Sequence, residues 1–191
     1  MAGKQAKILT DEQIALLLSF TSTQRHPVRN QVIALLSIKA GLRAAEIAKL
    51  TWDMVLDPAG SVGPAIELQN RVAKKGGGRA IPIHRDLRAA LQAQLARTGG
   101  AGHVVRSERG HAMRPGSIVK LFKLAYQAVG LDNCSSHSGR RTFITRAARQ
   151  VHRAGGSLRD VQLLAGHRSL MTTERYIEGD SDAQRRLVQL V

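Results

Sequence analysis

Aromatic residues make up only 3% of this 191-residue chain, and cysteine occurs once, as Cys134. A single cysteine excludes an internal disulfide and any cysteine-rich zinc site. So few rings disfavour a protein that stacks single-stranded bases on aromatic platforms. No apolar run approaches the roughly 20 residues needed to cross a bilayer. The opening "MAGKQAKILTDEQ" lacks the apolar stretch of a secretory signal. These absences predict a soluble, intracellular (cytoplasmic) protein. Its one domain would be built on a Leu, Ile, Val and Ala core.

Acidic residues are also scarce, 14 against 29 Lys and Arg, which leaves a formal charge of +15. Charge of one sign at that density repels itself, and a polyanionic partner relieves the repulsion. Nucleic acid is the first candidate. The shortage of rings ranks duplex DNA above single strands.

What is present reads mostly as helix. "TDEQIALLLSF" opens with Thr10 and Gln13 at capping-box spacing, followed by a stripe of Ile14, Leu17 and Leu18. A second helix is predicted after Pro27, ending at Gly41, and "LRAAEIAKL" restarts helix. Residues 65–83 change period: "AIELQN" and "RAIPI" alternate around "KKGGG", a hairpin pattern. Helices are then expected over "RDLRAALQAQLART", "GSIVKLFKLAYQAVG", residues 138–154 and 158–165, with loop and one short strand before residue 116. A last helix is expected over 180–191. The predicted class is mainly α with a small antiparallel β-sheet (α+β).

Four stretches carry candidate chemistry. In "SSHSGRRTFITR", His137 and Arg140 lie three apart, on one helix face, while Arg141 points roughly 100° away. Ser135 and Ser136 are candidate caps, which would set the helix's positive end beside an imidazole and a guanidinium fork, a fit for a phosphodiester. In "GLRAAEI", Glu46 follows Arg43 by three and is placed to orient it. Lys74 and Lys75 sit at the hairpin tip, where no Walker pattern occurs. "LLAGHRSLMTTERY" sets His167 at a helix break and Tyr176 nine residues on. Taken singly, each stretch is compatible with a solvated basic surface.

Their order is not so easily explained away. From Gly41 to Tyr176 the chain resembles the catalytic domain of the tyrosine recombinase (phage integrase) family, through "GLRAAEI", "KKGGGRAIPI", "HSGRRTFITR", "LLAGHRSL" and "TTERY". The resemblance implies a site-specific recombinase that cuts and rejoins duplex DNA through a 3′-phosphotyrosine. Arg43 and Arg140 would clamp the scissile phosphate, and His137 would assist proton movement at the nucleophile. His167 would donate to the phosphate, Lys74 would protonate the leaving 5′ oxygen, and Tyr176 would attack. An ungapped alignment of the hairpin puts Lys74 eight residues before Pro82 and favours it over Lys75. Glu46 would support Arg43, and Lys75, Arg79, Arg141 and Arg146 are assigned to DNA contact. No metal and no cofactor is implied. The partners implied are duplex DNA and further copies of the chain, as a tetramer on DNA with the C-terminal helix docked on a neighbour.

The sequence departs from the family pattern at Gly139, where many members carry a larger apolar residue, and at Ala45 and in "LLAGH". The forty or so residues before Arg43 read as opening helices of the catalytic domain, so residues 1–191 are expected to form that domain without the N-terminal domain that completes a DNA clamp. Two rival readings stay open: a type IB topoisomerase-like relaxing enzyme, and a basic DNA-binding regulator that keeps the fold without the chemistry.

Overall fold

The computed structural model describes residues 6–73, 76–176 and 188–189. Helix α1 (Asp11–Ser22) starts where the sequence places it: Thr10 Oγ1 accepts from the Gln13 amide and Gln13 Oε1 from the Thr10 amide. Helix α2 (Pro27–Lys39) begins on a proline, whose missing N–H costs nothing at a first helical position. It is buried all round from Val32 to Ile38 and runs through the core, packed by α1 on one side. Gly41 then turns the chain with φ of +64°, and a β-carbon there would overlap the Phe143 ring.

Helix α3 (Ala44–Lys49) follows, then a 3₁₀ turn at Trp52–Met54 whose indole is fully buried. Strands β1 (Ala65–Leu68) and β2 (Arg79–Pro82) form the expected antiparallel hairpin, pairing Ile66 with Ile81 and Leu68 with Arg79. Alternation turns Ile66, Leu68 and Ile81 into the core. Helix α4 (Arg85–Thr98) packs on α2 and ends at left-handed Gly99.

The short strand expected before residue 116 is absent. Val104 and Val105 are buried, but the segment is held by isolated bridges, Thr51 with His103 and Arg106 with Ala112. Helix α5 (Pro115–Ala128) buries Ile118, Phe122, Ala125 and Tyr126.

Helix α6 (Ser138–Gln150) stops four residues early, giving way to a 3₁₀ turn at His152–Ala154 before left-handed Gly155. One side of α6 packs on α2, the other on α7 (Leu158–Ala165). That second side forms a small separate core of Ile144, Ala148, Val151, Val161 and Ala165. Burying side chains such as Ile144 and Val161 is worth about 1.5–3 kcal/mol each, which fixes α7 against α6. Helix α7 is capped by a reciprocal Ser157–Asp160 box and closed by Gly166 at φ +62°. A five-residue helix, α8 (Leu170–Glu174), was not expected from the sequence, because its run is too short to show a period. Among the described residues no helix is long and apolar enough to cross a membrane. The expected C-terminal helix lies outside the described residues except at 188–189.

Candidate active site

Glu46 anchors the site from below. Its carboxylate is 1% exposed and accepts from Arg43 twice, from the backbone N–H at 2.9 Å and from Nη1 at 2.8 Å. Arg43 is thereby the N-cap of α3 and is held in one orientation. Arg79 adds a second fork, Nη1 to Oε1 at 3.3 Å and Nη2 to Oε2 at 3.2 Å. Burial by itself would raise the Glu46 pKa, but the donors of Arg79 and Arg43 overcome it and hold the carboxyl below its ordinary value.

Arg140, on the first turn of α6, ties three elements together. Its Nη1 donates to the Gly41 carbonyl at 2.5 Å and its Nη2 to the Ala165 carbonyl at 2.6 Å. Nη2 also lies 3.0 Å from His167 Nε2. Burial, followed by the nearby positive charges of Arg43 and Arg79, lowers its pKa to about 10, so it remains a cation at neutral pH. A guanidinium only donates, so the His167 Nε2 that faces it carries the lone pair and the ring proton sits on Nδ1. Nδ1 lies 3.0 Å from Thr173 Oγ1, and Gln162 Nε2 holds the His167 carbonyl at 2.9 Å. Burial and the surrounding arginines push the His167 pKa down to about 4, so the ring is neutral at pH 7.

Tyr176 closes over this pair. Its ring stacks on His167 with centroids 5.4 Å apart, and Arg141 Cζ lies 5.9 Å from its centroid. The backbone is fixed from both directions: the Tyr176 amide donates to Thr173 at 2.9 Å, and the Thr145 hydroxyl of α6 donates to the Tyr176 carbonyl at 3.1 Å. His137, Arg140, Arg141, Arg175 and Tyr176 line one open cleft of about 440 Å³.

The structure therefore brings Arg43, Glu46, His137, Arg140, His167 and Tyr176 into one neighbourhood. Lys74 and Lys75 lie outside the described residues. The two serines do not cap α6 as expected. His137 is itself the N-cap residue, and Ser135 Oγ accepts from the His137 amide at 3.3 Å, tightening the preceding turn.

Of the basic residues assigned to DNA contact, Arg79, Arg141 and Arg146 are described. Arg79 points inward, its side chain 6% exposed, because strand alternation puts it on the same face as Ile81. Arg141 lines the cleft, and the chain returns over α6 to lay the Tyr176 ring against it. Arg146 is engaged by Asp11 at 2.6 Å and by the Leu9 carbonyl at 3.0 Å, so it fastens the N-terminal segment to α6. Thr173 and Thr145 were missed. Thr173 left one signal, a hydroxyl three residues before the tyrosine. Thr145 had none.

Residues 7–182 match the model of the phage integrase family. The chain belongs to the phage integrase family. Among curated proteins it is similar to tyrosine recombinase XerC of Rhizobium meliloti, 32% identical over 188 residues that cover 92% of this chain and 54% of that protein. XerC of Erythrobacter litoralis is 30% identical over 167 residues, 86% of this chain and 50% of that one. The chain thus spans about half the length of the curated relatives it matches. Among solved structures, the Tn1549 transposon integrase bound to a circular intermediate DNA superposes with a TM-score of 0.79 at 20% identity, covering 100% of this chain and 67% of that one. XerA recombinase gives 0.74 at 20% identity over 98% of this chain and 65% of its own. These likenesses place the fold of this phage integrase family member among recombinase catalytic domains.

Proposed function

We propose that this chain is the catalytic domain of a site-specific recombinase that cleaves and rejoins duplex DNA through Tyr176. The observation that carries the reading is one chain of contacts. The Tyr176 ring stacks on His167, His167 accepts from Arg140, and Tyr176 and Arg140 border the cleft that His137 also lines. A nucleophile, a proton acceptor and a fixed guanidinium then meet at one point.

In this reading the phenol oxygen of Tyr176 attacks phosphorus and the bond to the 5′ oxygen breaks. The phenol proton passes towards His137, and Lys74 protonates the departing oxygen. Arg140 and Arg43 neutralise the non-bridging oxygens, where charge gathers in the transition state. The product is a 3′-phosphotyrosine and a free 5′ hydroxyl. One phosphodiester has replaced another, so attack by a 5′ hydroxyl reverses the step without ATP. The guanidinium groups supply the charge stabilisation that a metal ion gives in other nucleases, and activity in excess chelator is the corresponding check.

His167 has a particular part in this scheme. Its Nε2 accepts from Arg140 in the free protein and must donate to reach a phosphate oxygen. The Thr173 hydroxyl both donates and accepts, so it serves Nδ1 in either tautomer. To donate to the phosphate, the imidazole releases its Nδ1 proton to solvent and takes one up at Nε2, and Thr173 then donates to Nδ1.

The test uses nicked duplexes of randomised sequence, from which the cut fragment diffuses away. Covalent protein–DNA adducts that survive denaturation are recovered and sequenced. The reading expects adducts from the native protein and none from Tyr176→Phe, which should still bind. Binding without any adduct would leave the regulator reading. Loss of supercoils without strand exchange between two sites would favour the topoisomerase-like one.

A further inference from the structure

We propose that Arg79 is a positioning residue, which locks the Arg43–Glu46 pair to the α7–His167 corner so that both address one phosphate. The inference rests on the proposed strand-transfer activity and adds a residue to its machinery.

Arg79 comes from β2 yet bonds to neither neighbouring strand position with its side chain. Its Nε donates to the Leu164 carbonyl at 2.8 Å, in the last turn of α7. Its Nη1 and Nη2 take the two Glu46 oxygens at 3.3 and 3.2 Å, the same oxygens that orient Arg43. Nη1 also reaches the Gly77 carbonyl at 3.4 Å. One planar guanidinium thus ties its own hairpin to α3 and α7, both distant in sequence.

The α7 side is shaped to receive it. Gly166 closes α7 at φ +62°, and a β-carbon there would lie 2.8 Å from Arg79 Nη1. His167 follows directly. Any shift of Arg79 is therefore felt at the residue before the imidazole and, through Glu46, at Arg43.

Stability alone does not call for such a device. A buried ion pair recovers little beyond its desolvation cost, and apolar residues of similar volume often do as well. What the fork supplies is geometry, since it fixes distance and angle between two carboxylate oxygens and a carbonyl, which a lysine's point charge does not. Misplacing a catalytic group by about 1 Å costs on the order of 10²-fold in rate.

The experiment measures single-turnover adduct formation by native protein and Arg79→Lys on the nicked duplex recovered from the pool. It is repeated on the same duplex with a methylphosphonate at the scissile position. That substrate lacks one of the negative oxygens that Arg43 and Arg140 neutralise, so a defect in aligning the clamp is felt less on it. The proposal expects a loss on the order of 10²-fold on the ordinary duplex and a several-fold smaller loss on the methylphosphonate. Equal losses on both substrates, or no loss, would overturn it. If Arg79→Lys does not fold, Glu46→Asp carries the test: it keeps the charge, withdraws the carboxylate from both arginines, and should show the same selectivity. A native protein that forms adduct on neither substrate overturns the strand-transfer reading and this inference with it. A native protein that cleaves, beside variants without selectivity, overturns this inference alone.

Discussion

His167 Nδ1 lies 3.0 Å from the fully buried hydroxyl of Thr173, three residues before the tyrosine. In the proposed reaction, this contact would let one imidazole accept from Arg140 at rest and donate to a phosphate at the next step. Thr173→Val keeps the shape of the side chain and deletes the hydroxyl. Nδ1 then faces a methyl group, and the Nε2–H form loses its partner. Removing a donor to a developing oxyanion costs on the order of 10²–10³ in rate, and an indirect change of this kind should reach the lower end. Thr173→Ser should restore most of the rate. Single-turnover adduct formation measures both, and equal rates for Val and Ser would refute the role.

Stability should depend on pH through His167. Burial, then the flanking Arg140, Arg43 and Arg79, depress its folded pKa to about 4, below the ordinary value of 6.5. The unfolded chain therefore binds the extra proton first as pH falls. The stabilisation is complete above about pH 6.5, declines between there and pH 4, and declines no further below, where both states are protonated. The contribution amounts to as much as about 3 kcal/mol. Urea midpoints of native protein and His167→Gln between pH 7.5 and 4 would check it. The native curve should fall more steeply, and parallel curves would contradict the assignment.

How much of this was open to reading from sequence follows from range. The capping box at Thr10, the hairpin and Gly166 are local, and periodicity together with glycine placement revealed them. Arg43, His137, Arg140, His167 and Tyr176 were named as candidates because family motifs mark them. The burial of Arg79 was legible too, since its spacing from Ile81 put it on the inward face of β2. Thr145 was not legible, since its bond to the Tyr176 carbonyl joins residues 31 apart. Helix α8 and the inward turn of Arg141 depend on the same return of the chain over α6.

Gly139, where many family members carry a larger apolar residue, sits in a tight space here. A β-carbon there would meet Ser37 Oγ at 2.5 Å and Ile38 Cγ1 at 3.1 Å. Ser37 and Ile38 fill the space beside Gly139. Its hydroxyl is buried and has no hydrogen-bond partner among the described residues. Gly139→Ala should therefore destabilise by about 1–3 kcal/mol, as overpacking does. Ser37→Ala alone should be close to neutral, since it removes an unsatisfied group. Ser37→Ala with Gly139→Ala should recover at least about 0.5 kcal/mol relative to the sum of the single changes. Chemical denaturation of the four proteins completes the cycle, and strict additivity would show that the two residues do not compete for the space.

Arg140→Lys separates charge from geometry. Lysine keeps the cation that displaces counterions from DNA, so the salt dependence of binding should stay as steep as in the native protein. It loses the fork that spans the Gly41 and Ala165 carbonyls, at 2.5 and 2.6 Å, across α2 and α7. A single ammonium does not meet both carbonyls and a phosphate oxygen at fixed angles. Adduct formation should fall on the order of 10²–10³-fold while anisotropy titrations on the nicked duplex, over a series of salt concentrations, give an unchanged slope. A flattened slope with an unchanged cleavage rate would mean that Arg140 serves affinity rather than chemistry.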